Sequence, residues 1–400
     1  MLVGIVGKPN VGKSTLFSAM TMANAAIANY PFTTIEPNRG VAFVRSKCPH
    51  TDFNIQCTPR NSRCEGGIRL VPVEILDVAG LVPGAHEGKG MGNKFLDDLR
   101  QAQVLIHVVD ASGGTNADGQ IVEPGSHDPV FDIEFLENEI DFWIAGILQK
   151  NWERTAKKAE AEGIKIEEVI LERLTGLGIT LQMATAAIKS SGLEGKPSRW
   201  SDDDILRLGR NIRIVSKPIV ILANKSEIAP EKCIERIREY SKREGASPVY
   251  FCSADIELAL KKAAKAGIID YHLGSIEIKI KDSSTLNQAQ KAALSKMEAF
   301  LVKNNGTGVQ SALEQAVYSF LNMIVVYPVE DETHLTDKEG RVLPDAHLLK
   351  RGSTAKDLAF KVHTDLGKHF IRAINARTRR IVGADYQLED KDVIKIVADV

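Results

Sequence analysis

Eight residues near the start of the chain, Gly7, Lys8, Pro9, Asn10, Val11, Gly12, Lys13 and Ser14, fit the pattern GxxxxGK[ST]. Residues of these types at this spacing bind phosphate. The glycines let successive backbone amides wrap an anion, Lys13 neutralises β and γ phosphates, and the Ser14 hydroxyl ligates magnesium. The apolar run LVGIV precedes the pattern and TLFSAMTMA follows it. A strand, a loop and a helix are therefore expected, with the helix N-terminus adding positive potential. Lys8, Asn10, Val11, Gly12, Lys13, Ser14 and Thr15 form the expected phosphate cradle.

Three further stretches carry complementary chemistry. Asp77, Val78, Ala79 and Gly80 end a second apolar run; Asp77 would hold magnesium through its water, and Gly80 is free to swing toward a γ phosphate. Thr33 or Thr34, in YPFTTIEP, can close over the metal, and Thr34 is the preferred reading. LANKSEIA, residues 222–229, ends a third run in residues that can hold a purine. Asn224 would bond its edge, the Lys225 stem would cover its ring, and the Glu227 carboxylate would accept the guanine N1 and N2 protons. Ser253 and Ala254, in FCSA, can offer a backbone amide to the guanine oxygen.

Positioning these residues requires a sheet. Apolar runs recur at 71–77, 104–110, 218–224 and 248–252, most of them followed by polar loops. Buried strands alternating with helices predict an α/β fold with a mostly parallel sheet and its ligands at the carboxyl ends of the strands. The stretch 130–196 has no proline, and Ile140, Ile144, Ile147 and Leu148 recur there at helical spacing. An inserted helical hairpin, coiled-coil in character, is expected over 131–210. It divides a nucleotide domain made of 1–130 and 211–320. From about 321 to 400 short strands and turns predict a small third domain.

Composition narrows the setting. The 400 residues are 44% hydrophobic and 26% charged, with 51 basic against 52 acidic side chains. Such a chain exceeds one compact core, and no global field draws it to DNA or a membrane. MLVGIVGKPN lacks the basic n-region of a signal peptide and no apolar stretch reaches bilayer length, so a cytoplasmic location is expected. Five cysteines in so long a chain do not form a disulfide framework.

GKPNVGKS, NYPFTTIEPNRG, DVAGLVPGAHEGKGMGNKFLDDLR and NKSE together resemble the Obg family of P-loop GTPases, in particular its YchF (Obg-like ATPase) subfamily of archaeal type. The resemblance covers essentially the whole chain. It implies a G domain, a helical insertion before the base motif, a β-grasp-like TGS domain at the C-terminus, and no glycine-rich N-terminal domain. It also implies slow, magnesium-dependent hydrolysis of a nucleotide as a molecular switch, with the ribosome or ribosomal RNA as partner. The subfamily carries NxxE where most relatives carry NKxD, and some members prefer ATP. Here Lys225 is kept and Glu227 is one methylene longer than aspartate, so GTP is the expected nucleotide and ATP its rival. A nucleotide-sensing RNA-binding module without turnover is a further alternative.

Leu81 stands where Ras-like enzymes place the glutamine that orients water, so hydrolysis should be slow. His86, in GAHEGKG, is the nearest replacement, or an exposed loop histidine. With Lys13, Thr34 and Gly80 it completes the expected catalytic set. Asn10 matches an asparagine through which some related GTPases hold a potassium ion.

Cys48, His50, Cys57 and Cys64 fall within seventeen residues. Three thiols and an imidazole are a complete tetrahedral zinc set, although the spacing is not that of a standard finger, and unliganded loop cysteines are the alternative. Residues 350–380 carry nine Lys or Arg and two Asp, including Arg377, Arg379 and Arg380. Such a face suits RNA phosphates, or is a solvated surface.

Overall fold

β1 (Leu2–Val6) is buried along its whole length, as its unbroken apolar sequence requires of a central strand. The computed structural model describes residues 1–21, 38–78, 98–282, 284 and 286–399. Contacts divide the chain into two units, Met1–Met20 with Ile75–Ala312, and Thr21–Glu74 with Leu313–Val400.

In the first unit β1 pairs in parallel with β5 (Val104–Asp110), β5 with β6 (Ile219–Asn224), and β6 with β7 (Val249–Phe251). The end of β4 (Ile68–Asp77) lies on the other side of β1, where the Val78 amide donates to the Ile5 carbonyl at 3.0 Å. Parallel strands bring their carboxyl ends to one edge. Gly7, Asp110 and Asn224, each at or just past a strand end, therefore converge.

The insertion between β5 and β6 has two long arms, helices Pro129–Gln149 and Asp202–Ser216, with three shorter α-helices between them. A Cβ on Gly209 would lie 3.1 Å from both the Asp141 carbonyl and the Ala145 amide, so a small residue lets the two backbones approach. Buried Arg213 and Asp141 pair across this contact at 2.6 Å. Ser201 and Asp204 close a reciprocal capping box at the start of the second arm.

In the second unit β3 (Arg63–Glu65) folds back antiparallel on β4 through Gly66 and Gly67. β2 (Arg39–Lys47) lies on the other side of β4. The C-terminal sheet is built from β8 (Met323–Val329), β9 (His347–Lys350), β10 (Phe370–Asn375), β11 (Arg380–Val382) and β12 (Val393–Ala398) in the order β9-β8-β12-β10-β11, with β8 parallel to β12 and the other pairs antiparallel. Helix Ala355–Val362, capped by Thr354 and Asp357, closes its core through Ala355 and Leu358. Several links tie 21–74 to the C-terminal part, two of them through Arg45. Arg45 holds Glu314 at 2.8 Å, and the Tyr318 hydroxyl, from a π-helical turn, donates to the Arg45 carbonyl at 2.8 Å.

Candidate nucleotide site

The loop after β1 has the backbone a phosphate needs. Gly7 has φ 147° and Gly12 φ 98°. A Cβ on Gly7 would sit 2.4 Å from the Val108 carbonyl oxygen, and one on Gly12 2.3 Å from the Asn224 amide nitrogen. No larger residue fits either place. Asn10 also adopts a left-handed conformation, with φ 63°. Helix Lys13–Thr21 begins immediately, with Ser14 exposed in its first turn.

Lys13 and Asp77 face each other across this loop. The Lys13 ammonium donates to the Lys8 carbonyl at 2.7 Å and, among the described residues, has no ion pair. Burial pushes its pKa down, against the opposing pull of Asp77. Burial likewise pushes Asp77 up, countered by Lys13, and its Oδ1 is buried and, among the described residues, has no hydrogen-bond partner. Each charge is penalised until an opposite one arrives: a phosphate for Lys13, and a hydrated cation for Asp77. The Ser14 hydroxyl and this orphaned carboxylate oxygen are a fitting donor set for magnesium.

The base-side residues hold one another. Asn224, buried, donates to the Val11 carbonyl at 2.9 Å and accepts the Ala254 amide at 2.9 Å, joining the phosphate loop to the FCSA loop. Its carbonyl is thus occupied, leaving one N–H for a base edge. Lys225, with φ 62°, crosses to the Asn10 carbonyl and to the Asp110 carboxylate, both at 2.8 Å. Ser253, fully buried, caps helix Ala254–Lys265 and hydrogen-bonds the Glu227 carboxylate. Glu227 is exposed on its outer side. Crowding on its inner side pushes its carboxyl above the usual range, against that hydrogen bond.

Two expected cradle residues turn their side chains away from the phosphate position. Lys8 is buried and donates to the Thr115 and Asn116 carbonyls, both at 2.8 Å, while pairing with Asp132 at 2.7 Å. Asn10 donates to the Gly119 carbonyl at 2.9 Å. These side chains brace the loop 115–119 against the cradle, so what they offer a nucleotide is backbone. Asp110 is a residue the motif reading missed. Fully buried, it accepts from Ser112, Thr115 and Lys225 and fixes the base-side lysine. Its signal was a lone acid closing the run VLIHVVD. His107, in the same strand, is also buried, and burial reinforced by Lys13 and Lys8 drops its pKa to about 3.

In the second unit Cys48, His50, Cys57 and Cys64 come together, their ligand atoms all within 4.8 Å of one another. Cys57 and Cys64 sulfurs lie 3.3 and 3.5 Å from His50 Nδ1. Burial and the neighbouring Cys48 push the Cys64 thiol up to about 12. Of the nine basic residues at 350–380, eight are exposed. Arg377 is instead tied to Asp52 at 3.0 Å and to the Lys391 carbonyl at 2.8 Å. Thr33, Thr34, Gly80, Leu81 and His86 lie outside the described residues.

Comparison with known proteins agrees with this geometry. The family of 50S ribosome-binding GTPases matches residues 2–133. The G4 motif-containing domain of Obg-like, YGR210-like GTPases matches residues 222–331. The TGS domain matches residues 336–398. An uncharacterised GTP-binding protein of Methanocaldococcus jannaschii is 51% identical, with 99% of each chain covered. The ribosome-binding ATPase YchF of Haemophilus ducreyi is 30% identical over 98% of this chain and 97% of its own. A GTP-binding protein of Pyrococcus horikoshii has a solved structure with TM-score 0.77 and 42% identity, covering 100% of both chains. The YchF GTPase of Schizosaccharomyces pombe, at TM-score 0.60 and 19% identity over 99% of this chain and 97% of its own, shares the fold. With a G domain of mostly parallel sheet and a C-terminal TGS domain, the chain belongs to the YchF/Obg-like ATPase family of P-loop nucleoside triphosphatases.

Proposed function

We propose that the protein hydrolyses GTP slowly, as a magnesium-dependent switch. The observation that supports this best is the Lys13 and Asp77 pair, two half-buried charges that, among the described residues, each lack the partner a magnesium–nucleotide complex would bring. Magnesium, held by Ser14 and through water by Asp77, with Thr34 closing over it, would offset charge developing on the phosphoryl oxygens. Lys13 and the amides of 7–14 bind and orient the β and γ phosphates. Gly80 would follow the γ phosphate, and His86 would orient water where Leu81 cannot. A potassium ion beside Asn10 would add positive charge at the transition state.

Glu227 is the guanine reader in this account, flanked by Ser253 and the Ala254 amide. ATP is the rival because the Ser253 hydroxyl already engages the Glu227 carboxylate, leaving less of it for guanine. The functional division proposed is 1–130 with 211–320 for the nucleotide, 131–210 as a helical arm, and 321–400 as a TGS domain. The ribosome or its RNA is the proposed partner, met in the cytoplasm by the exposed basic side chains of 350–380. The names of the YchF relatives support that choice. Zinc at Cys48, His50, Cys57 and Cys64 belongs to the same reading.

Turnover of γ-labelled GTP tests it. Wild-type protein should release phosphate slowly and Lys13→Ala should release none above background, with circular dichroism unchanged. Equal turnover in the two would reject the site.

A further inference from the structure

Arg69 is fully buried in β4, and among the described residues no carboxylate pairs with it. Its guanidinium donates to the Ser62 hydroxyl at 2.9 Å, to the Leu343 carbonyl at 2.9 Å and to the Cys48 sulfur at 3.4 Å, and stacks 5.5 Å from the centre of the Tyr327 ring. A buried cation held only by neutral groups is costly, by several kcal/mol on the scale usual for buried ions. Something anionic is required next to it. Among the described residues, the hydrogen-bond partner of Arg69 that can become an anion by binding a metal is the Cys48 sulfur.

The ligand spacings say what would hold that charge. Zinc lies about 2.3 Å from thiolate sulfur and about 2.0–2.1 Å from imidazole nitrogen, so tetrahedral ligands are about 3.5–3.8 Å apart. Three of the six separations are 3.3 Å and 3.5 Å for sulfur to His50 Nδ1 and 3.9 Å between the Cys48 and Cys57 sulfurs, and all six are within 4.8 Å, close enough for small side-chain shifts to close them on an ion. That sulfur separation is far beyond a disulfide bond, which is about 2.0 Å long.

We propose that Arg69 is the buried counter-ion of a zinc ion bound by Cys48, His50, Cys57 and Cys64, and that this ion latches the 48–64 hairpin to the C-terminal segment 342–346. The inference rests on reading the cluster as a zinc site. Three thiolates and a neutral imidazole around Zn2+ carry one net negative charge, which Arg69 balances. The same guanidinium grips the Leu343 carbonyl, so the charge created at the metal is felt by the C-terminal segment. Around that grip the Thr58 and Arg60 amides donate to the Val342 and Pro344 carbonyls at 2.9 and 2.7 Å. The Val342 amide donates to the Thr58 hydroxyl at 2.7 Å, and the Ala346 amide to the Asn61 side chain at 3.0 Å. Arg60 and Asp345 form an ion pair alongside. Without zinc Arg69 loses its counter-charge, and this seam loosens.

Two readouts on the full chain separate the latch from the site. Metal analysis and competition with a chelator should give one zinc per wild-type chain, bound about ten- to a hundredfold more weakly by Arg69→Met, with Arg69→Lys recovering part of the loss. Hydrogen exchange at the Thr58, Arg60, Val342 and Ala346 amides should speed at least tenfold when wild-type protein is stripped of zinc, and slow again when zinc alone is returned. Protein prepared without chelator that holds no zinc would overturn the site and the latch together. Zinc bound equally well by Arg69→Met, or exchange unchanged on stripping, would overturn the latch and leave the site standing. If Arg69→Met does not fold, the stripping experiment on wild-type protein decides.

Discussion

The phosphate cradle and the Cys/His hairpin both concentrate ligands, yet they are built in opposite ways. The cradle draws its donors from the backbone of Gly7 to Ser14, while Lys8 and Asn10, the side chains its motif displays, turn away to brace residues 115–119. In the hairpin every candidate ligand is a side chain, on positions spread over 48–64, with Arg69 donating to the Cys48 sulfur from the next strand. A backbone site is fixed by conformation and so depends on glycine. A side-chain site is fixed by residue identity and depends on what neutralises it.

That contrast can be broken at its strongest points first. In the cradle, Lys13 is the side chain on which binding turns, and Lys13→Ala should lower turnover at least about a hundredfold, as loss of a transition-state charge contact does elsewhere. Gly12→Ala tests the backbone claim: a Cβ 2.3 Å from the Asn224 amide should cost about 1–3 kcal/mol of stability in chemical denaturation and weaken every nucleotide alike. Native stability in that variant would mean that the loop is not conformationally fixed. Asp110→Asn should come next. It keeps an acceptor for Ser112 but sets an NH2 group in place of the oxygen that accepts from Thr115 and Lys225, removing the charge opposite Lys225, and guanine-nucleotide affinity should fall about tenfold in titration calorimetry.

A smaller effect sharpens the electrostatics behind the cradle. His107 is buried neutral, with a pKa of about 3 against an ordinary 6.5. Between those values the unfolded chain takes up a proton that the folded chain refuses, so stability falls as pH drops through the window from 6.5 toward 3. One such group contributes at most about 1.4 kcal/mol per pH unit. His107→Asn should flatten the slope of stability against pH between 6 and 4, and an unaltered slope would mean that the imidazole is protonated in place.

Much of the first unit is legible in the sequence because its chemistry is local. GKPNVGKS carries its own strand, turn and helix, and the Asn224 and Glu227 positions close a run that reads as a buried strand. What the sequence hides is nonlocal. Nothing near Lys8 announces Asp132, more than a hundred residues on, or that Asp110 would hold Lys225. The four zinc-type ligands can be counted in the sequence, but Arg69 reads only as one charge in an apolar strand. That 21–74 packs with 313–400 depends on pairs such as Arg45 with Glu314 and Arg60 with Asp345, which no periodicity in either segment reveals. The first long arm, Pro129–Gln149, follows from the helical spacing of Ile140, Ile144, Ile147 and Leu148, whereas the short helices after it depend on local signals such as the Thr180 cap and the glycines Gly163 and Gly192 that end two of them.

On the reading proposed for Glu227, a P-loop site with glutamate in place of aspartate still reads guanine. The most direct measurement is the ratio of GTP to ATP affinity on nucleotide-free wild type, Glu227→Asp and Glu227→Ala, taken at neutral and at mildly acidic pH. The account predicts a GTP preference in wild type, a larger one in Glu227→Asp, whose carboxylate is drawn into the usual geometry, and none in Glu227→Ala. Because crowding raises the Glu227 pKa, wild-type preference should also begin to fade on acidification before an ordinary carboxylate would protonate. A ratio unchanged across the three proteins and across pH would mean that Glu227 does not face the base and that guanine is not what this pocket selects.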